Sequence, residues 1–120
     1  PIAFLIGLIA DTGEELASFT TTTSPLTYVA ADVLSNPKQT ALAHGEFNLA
    51  VRLELLPANT AVTPGTIVVT GNLSELVPPG LLIGTVSSLE QPVSDFFSTG
   101  IVAPTSPPER FRFVKILIPD

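Results

Sequence analysis

The sequence predicts an all-β fold built of short strands. Three observations carry that prediction. Twelve prolines and eight glycines punctuate 120 residues, which leaves stretches too short for long helices. Residues 49–55 alternate strictly, with Leu49, Val51, Leu53 and Leu55 on one face and Arg52 and Glu54 on the other. Runs such as Thr66-Ile67-Val68-Val69-Thr70 are rich in β-branched residues, which suit a pleated, half-buried surface. Hydrophobic residues make up 45% of the chain and charged residues 13%, a balance that supplies a core and excludes charge-driven disorder. A chain of this length forms one compact unit, or two very small ones sharing strands.

Residues 4–10 read as a buried strand, in which Gly7 marks a bulge or a close backbone approach. Asp11-Thr12-Gly13 is a turn. Thr12 and Glu15 have capping-box spacing, with room for one helical turn at most before Phe19. Residues 19–23 form a strand that Ser24-Pro25 ends, and residues 26–34 form another, carrying Tyr28, Val29 and Val33. Residues 35–38 are a loop and a seam between lobes. Residues 40–44 make a short strand with its turn at Gly45, and the alternating strand 49–55 follows.

Residues 62–86, VTPGTIVVTGNLSELVPPGLLIGTV, hold two strands around a stiff loop. Pro64-Gly65 opens the first strand, Gly71-Asn72 ends it, and Pro78-Pro79-Gly80 closes the loop. A positive φ is expected at Gly80, because the chain must reverse there into Leu81. Residues 87–90 complete the second strand. Phe96-Phe97 leads into a strand over 100–104, and residues 105–109 are a proline-stiffened crossing. Residues 111–118 form the last strand. Arg112 and Lys115 have opposite parity there, which calls for a bulge or one buried half.

The stretch 62–86 resembles the C-terminal periplasmic part of the rod shape-determining protein MreC family. The likeness rests on Val62, Gly65, Val68, Val69, Thr70, Gly71, Leu73, Pro78, Pro79, Gly80, Leu81, Ile83, Gly84 and Val86. Leu53-Glu54-Leu55-Leu56-Pro57 and the strand ending at Pro104 resemble further family segments. Two places depart from the family: Gly65-Thr66 stands for its usual Gly-Asp, and Thr70-Gly71 for its Thr-Ser-Gly. The one-residue deletion falls in a turn, where it is cheap.

The resemblance implies two small interlocked β-barrels of chymotrypsin-like architecture without catalytic residues. Residues 1–34 and 104–120 would form the first lobe and residues 35–103 the second. The family's domain starts earlier, so the first barrel is expected to be truncated. The resemblance also implies a role: an extracytoplasmic scaffold domain of the bacterial cell-shape and elongation machinery. Such a domain is periplasmic, tethered to the cytoplasmic membrane by an anchor expected upstream. It would act by binding MreD, the elongation-specific penicillin-binding protein and itself. Two other readings stand beside it: a generic β-domain of an efflux adaptor or surface protein, and a divergent protease-like hydrolase.

Candidate chemistry is sparse. The net charge is −6, and three of the five basic residues, Arg110, Arg112 and Lys115, crowd one segment. Nucleic-acid binding needs a basic stripe over much of a face, so it is not expected. Without cysteine there is no disulfide scaffold and no thiolate metal site. A serine nucleophile needs a base within reach and an oxyanion hole. The sole histidine, His44, has no Gly-x-Ser-x-Gly elbow to serve, so it reads as a surface residue at a strand end. Glu14-Glu15 reads as a pair of solvated turn charges, since adjacent carboxylates do not converge on one point. No His pair or acidic calcium loop is present, and residues 80–84 lack the Lys-Ser/Thr pair of a phosphate loop. Pro78-Pro79 and Pro107-Pro108 read as loop stiffeners. The apolar run 2–10 is far short of the ~20 residues of a spanning helix and lacks a basic leader. The expectation is therefore a non-enzyme with no catalytic, cofactor-binding or metal-ligating residue and no cofactor.

Overall fold

The computed structural model describes residues 5–12, 17–24, 27–47, 50–57, 62–72, 77–90 and 96–104. These residues form eight strands: β1 (Gly7–Thr12), β2 (Ala17–Thr21), β3 (Tyr28–Val33), β4 (Gln39–Glu46), β5 (Ala50–Pro57), β6 (Ile67–Thr70), β7 (Leu82–Leu89) and β8 (Phe97–Pro104). The all-β expectation holds. The Glu14-Glu15 turn and the strand expected over 111–118 lie outside the described residues.

Six strands close into a barrel in the order β3-β4-β5-β8-β7-β6, with every pairing antiparallel. It consists of two three-stranded meanders, β3-β4-β5 and β6-β7-β8, joined along β5·β8 and β3·β6. Closure leaves no sheet edge in this unit. β1 and β2 form a separate two-stranded sheet. The division made from the sequence put residues 28–33 with the first lobe. Their pairing corrects that: β3 bonds to β4 and β6 and is a wall of the closed barrel.

Alternation explains the barrel's filling. Val29, Ala31 and Val33 point inward from β3, Val51, Leu53 and Leu56 from β5, Val68 from β6, Ile83 and Val86 from β7, and Val102 from β8. Most are small or β-branched, which suits an interior of this width. Register shifts in β5·β8, β6·β7 and β7·β8 add the curvature that closure needs.

The hairpin is bonded to one end of the barrel. Leu5 N–H donates to Leu82 O (2.8 Å) and Thr22 N–H to Ile6 O (2.9 Å). Thr27 Oγ1 donates to Thr21 O (2.6 Å), and Gly45 N–H donates to Thr27 O (3.2 Å). Gly45 was expected to make a turn. It lies instead inside β4, opposite Val51, where a Cβ would stand 2.0 Å from Ser24 O. Its role is close backbone approach. The turn comes later, at Phe47, which takes a left-handed φ of 53°.

The loop after β6 is pinned by Thr70. Its buried hydroxyl donates to Pro78 O (2.6 Å) and accepts from Leu81 N–H (2.9 Å). Gly80 N–H donates to Thr70 O (2.9 Å), and Gly80 has the expected positive φ, 84°. A Cβ on Gly80 would meet nothing within 4 Å, so a substitution there carries the backbone cost alone. Gly80→Val should lower stability by about 1–2 kcal/mol in urea unfolding, with Gly80→Asn closer to wild type. Equal stability for all three would mean that the chain relaxes to negative φ at little cost.

Candidate functional site

A grouping of polar and aromatic side chains lies on the outer face of β3, β4 and β5. Register sets it up. Tyr28 stands opposite His44, His44 opposite Arg52, and Arg52 opposite Ile101, one row across four strands. Strand alternation points this row outward, because Val29, Ala43, Val51 and Leu53 fill the interior from neighbouring positions.

The rings of Tyr28 and His44 stack with centroids 3.9 Å apart and planes 13° apart. His44 Nδ1 lies 3.5 Å from Glu54 Oε1. Arg52 grips Glu46 with two bonds, Nε to Oε2 and Nη2 to Oε1, each 3.1 Å, and reaches Glu90 Oε1 at 3.9 Å. The Glu46 hydrogen bonds raise the guanidinium pKa above its ordinary value. Burial opposes them, and the charges of Glu46, Glu90 and Glu54 add to the rise. This fork is the geometrically strong pair of the face, although partial exposure limits its worth to about 1 kcal/mol or less. A depression of about 310 Å³ is lined by His44, Gly45, Glu46, Phe47, Arg52 and Glu54. Phe47 stands beside it with 76% of its surface exposed.

His44 was expected at a strand end. It lies within β4, half-buried, and its ring is held by Tyr28. The aromatic stack is worth about 0.5–1.5 kcal/mol. A Tyr28→Ala/His44→Ala double-mutant cycle should return a coupling of about 1 kcal/mol in urea unfolding. A coupling near zero would make the stack incidental. No local pattern in the sequence marks this pair, because residues 16 apart meet only through the hairpin register.

Three of the described serines bear on the hydrolase reading. Ser35 Oγ donates to Pro37 O (2.7 Å), Ser87 Oγ to Ile101 O (3.1 Å) and Ser98 Oγ to Pro57 O (3.3 Å). Each of these hydroxyls is directed at a backbone carbonyl. Among the described residues, no group of three His, Cys, Asp or Glu side chains is placed to hold a metal ion.

Fold and face together define a small closed antiparallel β-barrel domain with a packed interior and a charged, aromatic outer wall. More particularly, the chain belongs to the rod shape-determining protein MreC family, whose barrel-core model matches residues 3–118. Two solved structures share its fold. One, described as "MreC Lysteria monocytogenes", is 24% identical with a TM-score of 0.77, over 87% of this chain and 51% of that one. Another, described as "MreC", is 19% identical with a TM-score of 0.82, over 91% of this chain and 62% of that one. The chain thus spans about half to three-fifths of the length of these structures. No curated protein matches it by sequence. The family is one of structural, shape-determining proteins, and membership in it sets aside the efflux-adaptor reading.

Proposed function

We propose that the chain is an extracytoplasmic scaffold domain of the machinery that elongates rod-shaped bacterial cells. It acts by binding, without turnover, and its partners are MreD, the elongation-specific penicillin-binding protein and further copies of itself. The observation that carries this reading is the family match across residues 3–118. The fold supports it, since a side-chain-filled barrel leaves binding to its outer wall, loops and ends. In this reading β1 and β2 belong to the first lobe, and the closed barrel is the second.

The test replaces the chromosomal gene in a rod-shaped host with a version lacking residues 3–118. Rounded cells are expected, together with loss of crosslinks to MreD and to the penicillin-binding protein. Rods of normal width in that strain would overturn the scaffold reading.

A further inference from the structure

The outer wall of β3–β5 combines features that a merely solvated sheet face does not need. Phe47 sits at the end of β4 in a left-handed conformation and is largely exposed. A bulky residue in that region costs free energy, and exposure of the ring returns none of it through burial. Tyr28 stacks one ring face on His44 yet keeps 53% of its surface open. Between Phe47 and Glu54 lies the depression of about 310 Å³, which is at the small end of the range for ligand-sized hollows. It suits one or two side chains of a partner.

The charges choose the partner's chemistry. Glu46, Glu54 and Glu90 face a single guanidinium, Arg52. Both oxygens of Glu46 are already taken by Arg52. Glu54 is different: among the described residues its one ion pair is with His44 Nδ1, at 3.5 Å, and its side chain is 36% exposed. It is a carboxylate with acceptor capacity to spare, lining the same depression as the exposed ring of Phe47. A cation that meets a carboxylate and an aromatic face together gains both the ion pair and the cation–π attraction. A second copy meeting this face with its own β3–β5 wall is a poor occupant, because both walls bring the same acidic residues. An anionic lipid or nucleic acid is repelled for the same reason.

We propose that Tyr28, His44, Phe47 and Glu54 form a docking surface for a polypeptide segment that presents a lysine or arginine beside an apolar side chain. The proposal rests on the scaffold reading and names the surface that one of its protein partners would use. Phe47 and Tyr28 supply the apolar contact, Glu54 takes the cation, and the Arg52–Glu46 fork holds the floor.

The test titrates the ¹⁵N-labelled chain with an acetylated Lys-Phe repeat peptide, and with a Glu-Phe peptide of equal length. The Lys-Phe peptide should shift the amides around His44, Phe47 and Glu54, and the Glu-Phe peptide should not. Phe47→Ser with Glu54→Gln should weaken the Lys-Phe peptide by about tenfold or more. Both residues face solvent, so the unchanged spectrum elsewhere serves as the folding control. Shifts spread evenly over the surface, or an affinity that the double variant leaves unchanged, would overturn the proposal. The scaffold reading is scored separately by the gene replacement above. Rounded cells there, with no localised shift here, would reject this surface and leave the scaffold standing.

Discussion

Gly84→Ala should cost about 3 kcal/mol, at the upper end for overpacking, and should be among the most damaging single-methyl additions in the described barrel. Gly84 lies in β7, where it pairs with Val68 on one side and Pro104 on the other. A Cβ there would stand 2.1 Å from Ala103 O and 2.9 Å from Val102 Cγ1. The first obstacle is backbone, so no rotamer change relieves it. Either β7 or β8 must move, and in a closed barrel that movement strains the neighbouring pairings too. With a urea dependence of about 1.5 kcal/mol/M, the unfolding midpoint should fall by about 2 M. Gly80 makes the contrast, since a Cβ there meets nothing and only the positive φ resists substitution. Gly84→Ala should therefore be the worse of the two, and the reverse order would mean that β7 and β8 are not in contact as described.

The legible part of the fold was the part set by short-range chemistry. Proline, glycine and β-branched runs marked six of the eight strands to within about two residues, because turn chemistry and pleat preference act locally. Gly80 was readable for the same reason: a turn after two prolines needs φ that glycine tolerates. Gly45 was misread because a glycine required for close approach to Ser24 O looks, in sequence, like a glycine required for a turn. Thr70 looks, in sequence, like one more strand residue, although its hydroxyl anchors the Pro78–Leu81 turn. The outer-wall face was not legible at all. Tyr28, His44, Arg52 and Ile101 come together through register across β3, β4, β5 and β8, and register is a tertiary quantity. The assignment of β3 to the wrong lobe has the same origin: nothing local to residues 28–33 says that the partner on the far side is β6.

Leu56→Ala should destabilise the chain by about 2–5 kcal/mol, while Leu55→Ala should change it by about 0.5 kcal/mol or less. Strict alternation from Leu49 predicted the opposite, with Leu55 inward beside Val51 and Leu53. The β5·β8 register jumps between Leu53↔Gly100 and Leu56↔Ser98, so the bulge shifts the parity of the strand. Leu55 is turned out at φ 63° and is 56% exposed, and Leu56 is fully buried in its place. Leu56 also occupies the space that a side chain at Gly100 would need, with its Cδ1 3.4 Å from the Cβ position there. Truncating it leaves a cavity lined by Leu53 and by the β8 backbone, which the paired strands cannot easily collapse. Leu55→Gly adds a sharper check. Glycine removes the left-handed penalty while adding freedom to the unfolded chain, so the two effects oppose and stability should stay within about 1 kcal/mol of wild type. Urea unfolding of the three variants decides between the registers. A large loss for Leu55→Ala with a small one for Leu56→Ala would restore the unbroken alternation and remove the bulge from β5.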